Sequence, residues 1–181
     1  RRGMRTEIRY DDERGLLVLT DPNGGTTTVE QDALGRTVKV TDALGRVARL
    51  EYNAVGDLVR RTDALGHVQT WAYNARGQVV KTVDPRGNAT EYEYDLVGNV
   101  VKETNALGIS TVYAYDPLNR LKQVVLPNGG TVEFRYSADD RLIEQTDAEG
   151  GVWKWEYDAL GRKTAEINPA GERTEWRYNA A

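Results

Sequence analysis

The sequence repeats itself every 21 residues. Stepping back from Tyr157 in that unit reaches Tyr136, Tyr115, Tyr94, Tyr73, Tyr52, Gln31 and Tyr10, and one step forward reaches Tyr178, so eight of nine phase positions are tyrosine. A second mark lies between them. The segments beginning Thr20, Thr41, Thr62, Val83, Thr104, Val125, Thr146 and Ile167 all carry glycine four residues on, at Gly24, Gly45, Gly66, Gly87, Gly108, Gly129, Gly150 and Gly171. A unit this short holds one supersecondary element that cannot bury a face alone, so the chain has to stack unit against unit as an array.

The elements are strands. Eighteen glycines would be costly inside helices, but they recur at punctuation points where a positive φ is wanted, and Val, Thr, Tyr, Trp and Ile run between them. In a middle unit the spacing predicts strands over Asp57–Thr62 and His67–Tyr73, with turns at Asp63–Gly66 and Asn74–Gly77. Asp or Asn at the first turn position accepts a local backbone bond, and Gly at the last closes a four-residue loop. Asn119 and Asp140 replace that glycine with the residue types that best tolerate a left-handed backbone. The first turn, Tyr10 to Gly15, has one residue more and is expected to bulge or fray.

Alternation sets the faces. Two residues before each phase position stand Ile8, Val29, Leu50, Trp71, Tyr92, Tyr113, Phe134, Trp155 and Trp176, with mostly charged residues between, which is a strand with one side covered. A four-residue loop would set Tyr52 opposite Asp57 and Leu50 opposite Val59. Leu58, Val79, Val100, Leu121 and Leu142 then add apolar character to the other face. The fold class expected is all-β: tandem hairpins forming a long antiparallel sheet, too wide to stay flat, in a single array over residues 1–181 of about eight and a half repeats.

The chain opens Arg1-Arg2-Gly3 and stops after Tyr178 within a turn, as a piece of a larger array would. No signal peptide is recognisable, and no stretch is apolar over the length that crosses a bilayer. A net charge of −4 with both signs interleaved is no footprint for nucleic acid or an anionic membrane. The absence of cysteine excludes disulfides and thiolate metal sites.

Laid out as Gly-Arg-x4-Thr-Asp-x2-Gly-x5-Tyr-x-Tyr-Asp-x2-Gly, the unit resembles the YD repeats of the RHS family. That family includes bacterial polymorphic toxins, the cocoon proteins of insecticidal toxin complexes, wall-associated proteins and teneurins. The resemblance covers essentially the whole chain. It is strongest at Tyr157-Asp158-Ala159-Leu160-Gly161-Arg162, good at Tyr94 to Gly98 and Asp42 to Arg46, and weaker at Gln31 and Ser137. It implies hairpins spiralling into a hollow shell around a C-terminal toxin or cargo domain, in a protein secreted or delivered from a bacterial cell or held at a cell surface. The partners it implies are the remaining repeats and that cargo. The family's self-cleaving segment is built around Asp-Pro-x-Gly-Leu; Asp84-Pro85-Arg86-Gly87 is followed by Asn88 and sits in turn phase, so it reads as a turn.

No constellation breaks the pattern as catalysis would require. His67, the one histidine, follows Gly66 at the mouth of a turn, and the aspartates recur once per turn as caps. No catalytic, cofactor-binding or metal residue is assigned, and the expectation is a non-catalytic wall. The densest aromatic patch, Trp153, Trp155 and Tyr157 with Phe134, Tyr136, Trp176 and Tyr178, reads first as a ladder in the packed face. Trp153, Trp155 and Trp176 are the candidate carbohydrate or cargo contacts, and the alternative function is a surface module that binds glycan or protein.

Overall fold

The computed structural model describes residues 6–11 and 15–179, which form seventeen β-strands, from Glu7–Asp11 to Arg173–Glu175, and no helix. The chain divides into two compact units, residues 1–91 and 92–181. Within each, successive strands pair antiparallel with their sequence neighbours, hairpin after hairpin. Strands of six residues, such as Val47–Tyr52 and Thr131–Tyr136, alternate with strands of five, such as Leu58–Thr62 and Leu142–Thr146. The irregularity expected between Tyr10 and Gly15 falls on residues 12–14, outside the described residues.

The turns are one residue tighter than the expected four-residue loop. At Asp32–Arg36 the Gly35 N–H donates to the Asp32 carbonyl (2.9 Å) and the Asp32 N–H donates to the Arg36 carbonyl (2.9 Å). This is a type I turn followed by a left-handed residue, a three-residue loop ending in a glycine bulge, with Gly35 at φ 76°. The same two bonds recur at Asp63–His67, Asp116–Arg120 and Asp158–Arg162. Asn119 (φ 61°) and Asp140 (φ 64°) take the left-handed position where glycine is absent.

A second bulge corrects the expected register. Tyr52 lies opposite Leu58, Glu51 opposite Arg60 and Leu50 opposite Arg61, so Val59 is an extra residue in its strand. Asp57 instead belongs to the turn, its carbonyl accepting from the Asn53 N–H at 2.9 Å. The shift recurs beside Gln31, Tyr73, Tyr115, Tyr136 and Tyr157. Turns on the other side have none: Thr62 pairs with Val68 and Arg61 with Gln69 in unbroken register.

The bulge changes the faces. Leu58 shares the face of its partner Tyr52, and Arg60 shares the opposite face of its partner Glu51, so Val59 must also point to the tyrosine side. Leu58 therefore leaves the second face, which keeps apolar residues of its own, with Val83 opposite Thr70 and Val112 opposite both Lys102 and Val125. One face collects Leu17, Val29, Val40, Leu50 and Tyr52 in the first unit, and Phe134, Tyr136, Trp155 and Tyr157 in the second. The other carries a ladder of opposite charges: Lys39 with Glu30 (2.6 Å), Lys81 with Glu91 (2.8 Å), Lys102 with Glu93 (2.9 Å) and Arg135 with Glu144 (3.3 Å). Among the described residues only Ala165 is fully buried. It lies between Glu156 and Glu175, and Arg173 reaches across to bind Glu156 (2.6 and 2.8 Å) and Glu175 (2.8 Å). Within each unit the described residues form a single layer of strands without a hydrophobic core.

Glycine in these turns answers to two demands that substitution can separate. A Cβ on Gly108 (φ 74°) would meet nothing within 4 Å, whereas one on Gly161 (φ 83°) would lie 2.8 Å from Arg141 Nη2. Gly108→Ala is expected to cost about 1 kcal/mol through backbone strain alone. Gly161→Ala is expected to cost more, because that guanidinium is anchored on the Asp158 carbonyl at 3.0 Å. Urea unfolding of the two variants measures the difference; equal losses would contradict the close-approach role.

Candidate functional site

The recurring site of this chain is the contact by which one repeat grips the next. It starts at the first residue of the turn. Asp32 Oδ1 accepts from the backbone N–H of Leu34 (2.9 Å) and of Arg36 (3.0 Å), and Oδ2 accepts from Arg36 Nε (2.7 Å). The arginine, held flat by its own turn, places its guanidinium 4.7 Å from the ring centre of Tyr52 in the next repeat. The Tyr52 hydroxyl donates back to the Thr37 carbonyl at 2.9 Å. Asp116, Arg120 and Tyr136 repeat the arrangement, with the guanidinium 4.8 Å from the ring and the hydroxyl 2.9 Å from the Leu121 carbonyl. Asp158, Arg162 and Tyr178 do so again.

Arginine extends further along the same edge. Arg120 Nη1 donates to the Ser137 carbonyl (3.1 Å) and to Asp140 (2.7 Å), and Arg141 Nη1 donates to the Asp158 carbonyl. One side chain thus closes its own turn, covers the next tyrosine and caps the next turn. The tyrosine hydroxyls of Tyr73, Tyr115 and Tyr157 likewise bond carbonyls fifteen residues back, at Leu58, Val100 and Leu142. Burial pushes the Tyr73 and Tyr115 phenols above their ordinary range. Gln31 breaks the series: Tyr10 donates to its Oε1 at 3.3 Å, while Gln31 Nε2 turns to the Gly35 carbonyl.

The partner four residues after the turn aspartate is a functional position that the repeat unit includes as arginine but to which the periodicity gives no role. In several turns without the arginine a complementary pair stands in its place: Asn53 with Asp57 (3.0 Å), Asn74 with Gln78 (2.9 Å), Asp95 with Asn99 (2.9 Å) and Asn168 with Glu172 (2.6 Å). His67 holds this slot in its own turn, with Nδ1 2.9 Å from Asp63 Oδ2. The signal was present in the sequence as donor–acceptor complementarity at i and i+4 in the tyrosine-side turns from Asp32 to Arg162.

The candidate contact residues fall on the tyrosine face. Trp153 lies opposite Gln145 and Trp155 opposite Glu166, to which its indole N–H donates at 3.1 Å. Lys163 stands 4.4 Å from the ring centre of Trp176. All three indoles are half-buried. An open cleft beside Trp155 is lined by Asp139, Arg141, Ile143 and Tyr157. Among the described residues no cluster of three or more metal-ligating side chains occurs.

Five windows of the sequence, residues 32–68, 52–90, 73–109, 94–131 and 136–173, match the RHS Repeat family. The chain belongs to that family. The motif shared by RHS repeats, tyrosine and aspartate followed by glycine and arginine, is here the clamp itself. The fold is similar to part of the Tc holotoxin pore of Photorhabdus luminescens, with a TM-score of 0.67 and 19% identity over 83% of this chain and 9% of that one. It is also similar to part of the TcdB2–TccC3 structure, with a TM-score of 0.54 and 13% identity over 97% of this chain and 14% of that one. The chain therefore spans about a tenth of the length of these structures. No curated protein matches it.

The RHS clamp makes two predictions. Tyr136→Phe removes one hydroxyl bond and is expected to cost about 1 kcal/mol. Arg120→Met, which removes the ion pair, the ring contact and two further bonds, is expected to cost more; thermal unfolding compares them. The second concerns acid. The Arg36 guanidinium, and the backbone N–H groups of Arg36 and Leu34, hold the Asp32 carboxyl below its ordinary value of 3.8, and Arg120 does the same for Asp116. For Asp42 and Asp158 the backbone N–H four residues on is the leading cause. A carboxyl whose pKa is lower folded than unfolded contributes its full stabilisation above the unfolded value and loses it as pH falls through the folded one. Unfolding temperature is expected to stay level from neutral pH toward 5 and to fall below about 4, and a fall centred near pH 6 would contradict the assignment.

Proposed function

We propose that this chain is a non-catalytic segment of the wall of an RHS shell that encloses a toxin or other cargo domain. In that reading residues 1–181 act as one continuous array, bowed by accumulated strand twist. The observation that carries the proposal is the unequal character of the two faces, one bearing the aromatic side chains of the strands, the other most of the cross-strand ion pairs with valines among them. A barrier that separates a protein cargo from its surroundings needs such a difference; an enzyme needs convergent groups instead. The nearest-neighbour clamps add support, because they let repeats be added without redesign of a common core.

The partners in this proposal are the remaining repeats and the cargo domain of a parent protein that is secreted or delivered from a bacterial cell. Trp153, Trp155 and Trp176 would contact that cargo across the aromatic face. The half-burial of their rings and the Lys163 and Glu166 contacts favour a ladder within the wall over a glycan platform.

The test is protection. Co-production of the repeats with the domain that follows them in the parent protein is expected to slow proteolysis of that domain relative to the domain alone. Digestion at the same rate would reject the wall reading.

A further inference from the structure

Two turns carry the same four residues and hold them differently. Pro22-Asn23-Gly24-Gly25 lies between the strands Leu16–Thr20 and Thr26–Gln31, and Pro127-Asn128-Gly129-Gly130 between Leu121–Val125 and Thr131–Tyr136. The same two backbone bonds close both. In the first, the Gly24 N–H donates to the Asp21 carbonyl (3.0 Å) and the Asp21 N–H to the Gly25 carbonyl (2.8 Å); in the second, Gly129 donates to Leu126 (2.9 Å) and Leu126 to Gly130 (2.8 Å). Gly24 and Gly129 have φ of 86° and 84°. The backbones agree, and the caps do not.

In the first turn Asp21 Oδ1 accepts from the N–H groups of Asn23 (2.7 Å) and Gly25 (3.0 Å). Leu126 holds that place in the second and has no acceptor to offer; Asp, Asn or Ser opens every other turn of this kind from Asp21 to Asn168. The cap comes from the third residue instead, where the Gly130 N–H donates to Asn128 Oδ1 at 3.0 Å. The ring closed by that bond contains both the Asn128 carboxamide carbon and the Gly129 nitrogen.

We infer that Asn128 is a site of spontaneous deamidation, set apart from Asn23 by this cap. The Gly129 backbone nitrogen, having given its proton to hydroxide, attacks Asn128 Cγ, and negative charge gathers on Oδ1. The Gly130 N–H already bonds that oxygen, so it acts as an oxyanion donor. Collapse breaks the Cγ–Nδ2 bond and releases ammonia, protonated by water, leaving a five-membered imide between residues 128 and 129. Water opens the imide at either carbonyl, giving aspartate or a β-linked isoaspartate; one water is consumed for each ammonia released. At Asn23 the Asp21 carboxylate occupies the turn and opposes a second negative charge there. Both asparagines and the glycines after them are exposed, so water and hydroxide reach the two sites alike. The Gly129 bond to Leu126 has to open first, as does its counterpart at Gly24, and so does not distinguish them. The inference involves no cargo domain and stands apart from the wall reading.

Peptide mapping of the 181-residue chain after incubation at mildly alkaline pH tests it, with aspartate and isoaspartate products resolved at both sites. In the folded chain Asn128 is expected to react about three- to tenfold faster than Asn23, the ratio that one exposed hydrogen bond supports. In denaturing guanidinium chloride, where only the shared Pro-Asn-Gly-Gly sequence remains, the two rates are expected to agree within about twofold. Leu126→Asp supplies the missing acceptor and is expected to slow Asn128 to the rate of Asn23, while Asp21→Leu is expected to speed Asn23, with circular dichroism confirming that both variants are folded. Equal rates in the folded chain, a difference that persists in denaturant, or exchanged first residues without effect would each overturn the inference.

Discussion

The grip of each turn on the next repeat's tyrosine, at its fullest through an arginine that belongs to two repeats at once, is the interaction on which this structure depends. Most domains bury a core and can tolerate loose contacts elsewhere. Here one alanine is fully buried among the described residues, so hydrophobic burial is spread thinly and the coupling between neighbours has to come from directed contacts. The guanidinium suits that task because it is planar and always charged, with donors on several edges. Asp116 takes one edge of Arg120, Ser137 and Asp140 take another, and the flat face is left for the Tyr136 ring. None of these contacts is strong alone in a solvent-exposed setting. Their value lies in sharing one side chain that the turn has already ordered.

The bulge beside Tyr52, recurring beside Tyr73, Tyr115, Tyr136 and Tyr157, has consequences out of proportion to its size. Without it, Glu51 would face Val59 and Leu50 would face Arg60; with it, Glu51 faces Arg60 and the two form an ion pair at 3.6 Å. The inserted residue thus brings opposite charges together on one face and sets Leu58 and Val59 on the face of Tyr52. Sequence periodicity explains why the sorting persists, since six-residue and five-residue strands alternate with the same offset at each tyrosine.

The aromatic ladder and the turn tips show how a repeat separates obligation from freedom. Trp155 and Trp176 are engaged by Glu166 and Lys163 within the sheet, which makes them part of the fold before they are part of any binding site. Leu34, Val55 and Leu160 are engaged by nothing of the kind, and equivalent turns close around Arg76 or Glu149 with the same bonds.

Much of this was legible in the sequence. The 21-residue beat, the strand class, the turn positions and the glycine stand-ins Asn119 and Asp140 follow from local chemistry, because φ preference and side-chain-to-backbone bonds act over four or five residues. The RHS resemblance was legible in the same residues. Register was not, since whether a strand pairs straight or with an extra residue is decided by the competition between cross-strand partners: Glu51 reaching Arg60 outweighs regular pleating. The faces inherit that decision, so strict alternation sets Leu58 on the face away from Tyr52, whereas the pairing sets it on the same one. The clamp lay between the two, because its aspartate and arginine were visible as a spaced pair. Only the folded neighbour could show that the arginine's second partner is a tyrosine sixteen residues on, brought within 5 Å by the hairpin between them.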